Sequence, residues 1–570
     1  MLRLHFDFSP VRLWGRTAAA VAAAAMFTVM PAAYAGKAAP ARTDWFAASR
    51  SIELLGEVYR EVAENYVDPV DVSELMSAGI DGMLGKLDPY TDFLDESGTR
   101  ELDELTSGHY AGIGITLGFV SENLYITSII DGNAAAKAGL LIGDRIVSVN
   151  GVQVLKRSID EIRAAIKGPA GSTVRLVVER PGVRRNREYL LMRSEVKVNT
   201  VSYAGMFGSV GYIGMSSFGE HSGEDLRAAL QSLQNKAAAA GTPMQGIVLD
   251  LRGNPGGLLN MAVDVAGIFL QKGSKVVSTV GRGAENGQVF LTSAAPLVPT
   301  LPLVVLIDSE SASASEIVAG AIQDHDRGVI VGEVSFGKGL VQSIVSLPYD
   351  HVLKLTTSKY LTPSGRLIQK PLPRPEGDRK QVVVPVTVDS TRVYYTDRRR
   401  KVFGGGGIRP DVIVRAPEHS EYEHALDGKG LFFKYANRYR ASHDRVDAAD
   451  LRQDRLLPDF TRFVDGERFT YRSRSQQTLD SLKNVIRKEF GRNDDGIASK
   501  IGDLEKALSA SASKGRAGDS SRIATAVMLE LLRHYDESQA RRKSVEVDPV
   551  AAKAFSLLSD PAAYRALLKP

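Results

Sequence analysis

Two short runs carry residue types that together could break a peptide bond. Ser311-Ala312-Ser313-Ala314-Ser315-Glu316 offers hydroxyl nucleophiles, and Phe336-Gly337-Lys338-Gly339 offers an amine base. A serine activated by a lysine is one of the known variants of the activated nucleophile. Lysine is a poor base at its ordinary pKa of about 10.4, so it must be desolvated to serve near neutral pH. Glycines on both sides would let Lys338 lie against packed backbone, and Gln342, four residues later, could orient its amine. Each run also has a plainer reading, the serines as a helix cap and the lysine as part of a surface loop. The chain holds no cysteine, which excludes thiolate catalysis, disulfides and thiolate metal sites and suits an oxidising compartment.

A third run, Asp250-Leu251-Arg252-Gly253-Asn254-Pro255-Gly256-Gly257, follows a continuous apolar stretch. Glycine N–H groups at the end of a buried strand can stabilise an oxyanion. Taken alone, the run reads first as a strand-to-helix turn.

The elements that must position these runs are legible from periodicity. Gly246 to Leu251 and Leu303 to Asp308 read as continuous apolar strands, each with a single aspartate near its end, as expected of strands buried on both faces, and helical patterns follow each. The region from 183 to 415 therefore predicts an α/β unit. Before it, residues 108–182 alternate short β-type runs with Gly-rich turns around a helical segment, Ser158 to Lys167, and Asn150-Gly151 signals a hairpin. Residues 36–107 predict helix, with Ile52, Leu55, Tyr59, Val62 and Tyr66 on one apolar face. Residues 416–570 are polar and helical, with apolar stripes at Leu479, Leu482, Ile486 and Phe490 and at Ile523, Val527 and Leu531. Asp548-Pro549 has the form of a helix start. Pro371 to Pro375 and Gly404 to Gly407 read as loops.

The N-terminus has positive charge at Arg3, Arg12 and Arg16, an apolar stretch from about Thr17 to Met30, and an Ala-x-Ala pattern ending at Ala35. Residues 1–35 therefore predict a secretory signal peptide and an exported protein, an uncleaved anchor being the alternative. Net charge is +4 over 570 residues. That gives no argument for nucleic-acid binding, since the one basic run, Arg398-Arg399-Arg400-Lys401, reads as a solvated loop.

Taken together, the three chemical runs resemble the signature blocks of the carboxyl-terminal processing peptidases, also called tail-specific proteases. Supporting blocks are Leu87-Asp88-Pro89-Tyr90-Thr91, Lys359 to Arg366, and Gly406-Gly407-Ile408-Arg409-Pro410-Asp411-Val412. The resemblance spans roughly Asp44 to Val414. It implies a multidomain α/β protein: a crotonase/Clp-like α/β protease core with an inserted PDZ domain, an N-terminal helical segment and a C-terminal helical extension. By motif, Ser313 is the nucleophile, Lys338 the general base and Gln342 its orienter. The N–H groups of Gly257 and Ala314 form the oxyanion hole, and Ser311 and Ser315 are scaffold. The resemblance implies neither a cofactor nor a metal.

Residues 108–181 resemble a PDZ domain, with Gly112-Ile113-Gly114-Ile115 matching its carboxylate-binding loop and Gly139 to Gly151 its most recognisable stretch. Such a loop captures a terminal carboxylate while the substrate adds as a strand. The expected protein is a periplasmic serine endopeptidase acting on proteins and peptides through apolar or unstructured C-termini. Self-assembly or adaptor binding would be a role for residues 416–570. A trypsin-like protease is disfavoured because Pro255 stands where that family has its serine. A noncatalytic scaffold and a crotonase-like acyl-CoA enzyme are the other readings weighed.

Overall fold

A computed structural model describes residues 45–155, 157–282, 287–371, 391–490 and 495–570. The expected signal peptide and the Pro-rich run from 372 onward lie outside the described residues. The described residues form two compact units. One joins Tyr110–Lys197 to Ala416–Ala552; the other joins residues 45–109, Val198–Arg415 and Lys553–Pro570.

The second unit is built on a six-stranded sheet. Its order is Val201–Phe207, Val210–Met215, Gly246–Asp250, Leu303–Ile307, Val329–Gly332, Val412–Ile413. The first pair is antiparallel and the rest parallel. Every residue of Gly246–Asp250 and Leu303–Ile307 is buried, which explains the apolar runs Ile247–Leu249 and Leu303–Ile307. Parallel register sets Asp250 beside Leu306 and Ile307 beside Gly332. The loops after these three strands therefore emerge side by side at the carboxyl edge, where open α/β sheets place their sites. All three chemical runs lie in those loops.

A second sheet runs Asp92–Leu94, Val352–Leu361, Lys275–Gly281, Val289–Leu291, with Leu340–Ser346 also paired to Val352–Leu361. It carries Gln342 and brings the Asp88–Thr91 turn of the N-terminal region to the same neighbourhood. The helix Trp45–Asn65 forms, yet its apolar face is not buried. Ile52, Leu55 and Tyr66 are each more than half exposed.

In the first unit, antiparallel strands run in the order Ile115–Val120, Asn123–Ile129, Arg145–Val149, Thr173–Glu179, Arg187–Met192. The Asn150-Gly151 turn joins Arg145–Val149 to Val152–Gln153, both turn residues having positive φ. The helix Ile159–Ile166 starts at a Ser158/Glu161 capping box and buries Ile159, Ile162 and Ile166 against Ile113 and Leu117. The sheet extends past residue 182, because Arg187–Met192 pairs with Thr173–Glu179. The β unit is thus longer than its expected boundary. That last strand buries only Leu191 and leaves Leu190 and Met192 exposed, so its apolar residues do not mark a core face.

Helices from Glu421 to Glu546 belong to the same unit, and the helix Leu431–Ser442 meets the sheet where the Phe433 ring packs against Tyr125. Ile523, Val527 and Leu531 are buried, as their spacing predicts, but Leu482 is about half exposed. His534 Nε2 meets Asn437 Oδ1 at 3.0 Å, and burial pushes the imidazole down to about 4, so it stays neutral at pH 7. The basic run is not wholly solvated. Arg400 is buried and ion-paired with Asp326 and Asp411, which fixes the turn carrying Arg398 and Arg399. Among the described residues, no helix is long and apolar enough to cross a membrane.

Candidate active site

Ser313 begins the helix Ala314–Asp324, all of which is buried. Its backbone is left-handed, with φ 53° and ψ −112°, a conformation that a serine adopts only under constraint. The flanking serines anchor that turn. Ser311 Oγ donates to Leu251 O at 2.9 Å, and Ser315 Oγ donates to Asn254 O at 2.9 Å. Both are fully buried, whereas Ser313 is partly accessible. Asp308 Oδ1 accepts from Gly253 N and Ser311 N, each at 3.1 Å, locking the first loop to the second.

The glycines at 256 and 257 lie against the serine. Gly256 has φ +102°, and a Cβ there would fall 2.8 Å from Ser313 Cβ and 2.9 Å from Ala314 N. At Gly257 a Cβ would fall 2.2 Å from Phe218 O. The bridge to Phe218 uses the neighbours of Gly257. Phe218 N donates to Gly256 O, and Leu258 N donates to Phe218 O. Among the described residues, the N–H groups of Gly257 and Ala314 donate to no other group. These are the two donors expected of an oxyanion hole.

Lys338 is 2% exposed. A Cβ on Gly337 would lie 2.6 Å from Lys370 Cγ, and one on Gly339 would lie 2.8 Å from Gln369 N, so close packing requires both glycines. Lys338 Nζ donates to Gln342 Oε1 at 2.9 Å and stands 4.7 Å from the centre of the Tyr90 ring. Gln342 Nε2 in turn donates to Tyr90 O. Burial pushes the Lys338 ammonium down to about 8, helped by the cation of Lys354 and opposed by Asp88 and Glu316. Sequence reasoning had given Tyr90 only the place of a motif residue in a turn. No hydrogen bond joins Lys338 Nζ to Ser313 Oγ among the described residues.

Glu316 links the two loops, a function that its place in the serine run did not reveal. The carboxylate is fully buried. One oxygen accepts from Ser335 Oγ at 2.5 Å and Gly337 N at 2.7 Å, and the other from Ser313 N and Lys338 N, each at 2.9 Å. Burial pushes the carboxyl up to about 7, against four donors that favour the anion. A capping-box pattern of Ser followed three residues later by Glu was the available signal. Only the fold shows that the same carboxylate reaches the lysine loop.

In the other unit, the loop Gly112-Ile113-Gly114-Ile115 joins His109–Gly112 to Ile115–Val120. Ile113 is buried, and its carbonyl accepts from Ala135 N at 3.0 Å. Gly114 has φ +78°, and its carbonyl accepts from Ile130 N at 2.9 Å.

This arrangement defines a serine peptidase whose chain also carries a separate small β module, and comparison with known proteins gives the family. Residues 209–376 match the profile of peptidase family S41, and residues 125–180 match that of the PDZ domain. Residues 19–98 match the N-terminal domain of the activating protease CtpB, and residues 422–558 match the probable PDZ-protease C-terminal helical domain. The carboxy-terminal-processing protease of Bartonella bacilliformis is 39% identical over 374 residues, which cover 66% of this chain and 77% of that one. Carboxy-terminal processing protease CtpB of Bacillus subtilis is 33% identical over 56% of this chain and 66% of its own. Among solved structures, the photosystem II D1 C-terminal processing protease aligns at 28% identity and a TM-score of 0.32, over 56% of this chain and 90% of its own. The chain belongs to the carboxy-terminal processing proteases of peptidase family S41. Its helical region after residue 416 thus matches a domain found in PDZ-proteases, where sequence reading had placed it outside the family core.

Glu316→Gln tests the clamp. An amide brings two N–H donors to a site that presents four donors, so one pair loses its acceptor. Unpaired buried donors cost about 1–3 kcal/mol of stability. Misplaced catalytic loops lower kcat by about 10²-fold. Steady-state kinetics should show that fall with KM nearly unchanged; an unaltered kcat would contradict the clamp.

Proposed function

We propose that the chain is an exported, periplasmic serine endopeptidase. It cleaves proteins recognised through an apolar or unstructured C-terminus by way of an acyl-enzyme on Ser313. The observation that carries this reading is the convergence at one sheet edge of a strained serine, two undonated N–H groups and a buried lysine. Lys338 Nζ, when neutral, takes the proton from Ser313 Oγ as that oxygen attacks the scissile carbonyl. The developing oxyanion accepts from the N–H groups of Gly257 and Ala314. Collapse of the tetrahedral intermediate breaks the C–N bond, and the lysine ammonium gives its proton to the departing amine. Water then attacks the ester, with Lys338 again taking a proton. Gln342, held by the Tyr90 carbonyl, keeps the amine aimed throughout.

The signal-peptide pattern at residues 1–35 supports export. The PDZ loop at Gly112–Ile115 supports capture of a substrate carboxylate, and the apolar side chains beside it favour an apolar terminal residue.

Ser313→Ala and Lys338→Ala should each abolish cleavage of an unstructured protein with an apolar C-terminus. In the wild type, kcat should climb with pH through about 8, where Lys338 loses its proton. Full activity in Ser313→Ala would refute the assignment. Amidating the C-terminus of a peptide substrate should raise KM; identical kinetics for acid and amide would remove the PDZ loop from substrate selection.

A further inference from the structure

A second lysine, Lys354 on the strand Val352–Leu361, is as deeply buried as Lys338, at 2% exposure. The dyad mechanism makes no use of it. Cross-strand partners share a sheet face, and the register sets Gln342 opposite Thr356 and Ile344 opposite Lys354. Lys354 thus projects on the same face as Gln342, which holds Lys338 Nζ. Lys354 also stands opposite Asp92, its Nζ 3.6 Å from that carboxylate, which is half exposed. The Asp88–Asp92 segment therefore carries a buried lysine on each flank. Tyr90 faces Lys338, and Asp92 pairs with Lys354. For packing alone, an apolar side chain would fill the Lys354 site at less desolvation cost.

We propose that Lys354 is a positioning residue of the catalytic base, a second buried cation whose field holds Lys338 in its neutral, proton-accepting form. The proposal rests on the dyad reading above. The groups facing Lys338 come from three directions. Asp88 and Tyr90 belong to the turn, Glu316 to the nucleophile helix, and Gln342 and Lys354 to the paired strands. The carboxylates favour the ammonium and Lys354 opposes it. Burial pushes the Lys354 ammonium down, and Asp92 and Asp88 oppose that and favour its charge. Removing the Lys354 charge leaves Lys338 binding its proton more tightly, so less of it is neutral at pH 7.

The test is kcat/KM of the full chain on β-casein, an unstructured protein, from about pH 6 to about pH 10. Lys354→Met should move the rising limb up by about one pH unit. Activity at pH 7 should then fall about tenfold while the high-pH plateau is kept. Lys354→Arg, always charged, should hold the wild-type limb. An equal loss at every pH with the limb in place, or a displaced limb in the Arg variant, would overturn the proposal. Should Lys354→Met fail to fold, Lys354→Gln, which keeps a polar end for Asp92, carries the same expectation. A shifted limb beside an inactive Lys338→Ala supports both proposals. An active Lys338→Ala overturns the dyad reading, and this inference with it.

Discussion

The Glu316 carboxylate is the contact on which the rest of the site depends. The parallel sheet delivers the serine loop and the lysine loop to one edge, but adjacency of strands does not set the register of the loops beyond them. Glu316 does so by accepting from Ser313 N on one side and from Gly337 N and Lys338 N on the other. The Gly337 and Lys338 donors sit in a region closed to water, where an unpaired N–H is costly. The same contact helps hold Ser313 in its left-handed conformation. Strain of that kind persists only where the surroundings over-determine it. Here they do, through Ser311, Ser315, Asp308 and the glycines at 256 and 257.

Within that frame, opposing influences tune the Lys338 amine. Burial and Lys354 disfavour the ammonium, and Asp88 and Glu316 favour it, leaving the pKa at about 8. A lysine with that value is neutral in roughly one molecule in ten at pH 7, whereas an unperturbed lysine is neutral in fewer than about one in a thousand. Desolvation thus raises the available base by about two orders of magnitude. The Asp88–Thr91 turn is part of this apparatus. It lies far from the serine in sequence, yet it supplies the ring that closes over Lys338 and the carbonyl that holds Gln342. The N-terminal region therefore belongs to the site as well as to the scaffold.

Much of this is legible in the sequence. The buried strands announced themselves as unbroken apolar runs, and the hairpin at Asn150-Gly151 and the helix at Ser158 followed from local turn and cap chemistry. Ser313, Lys338, Gln342, Gly257 and Ala314 were reachable by motif, and the fold places them around one edge. Glu316 and Lys354 were not reachable as functional residues. A carboxylate three residues into a helix reads as a cap, and a lysine in an alternating strand reads as solvent-facing. Only tertiary closure shows that both are buried. The exposed face of Trp45–Asn65 is the converse case, where 3.6-residue periodicity predicts the helix but not what covers it. Arg187–Met192 extends the sheet past residue 182 but buries only Leu191, so it carries little core signal.

The central claim is that Lys338 activates Ser313 and no neighbouring hydroxyl. A fluorophosphonate tests it directly, since attack by a serine oxygen forms the P–O bond, expels fluoride and passes the hydroxyl proton to the base. Mass spectrometry of the labelled, digested chain at pH 7 should find one adduct, on Ser313, and Lys338→Ala should lose it. An adduct on Ser311 or Ser315, or undiminished labelling of Ser313 without Lys338, would contradict the account.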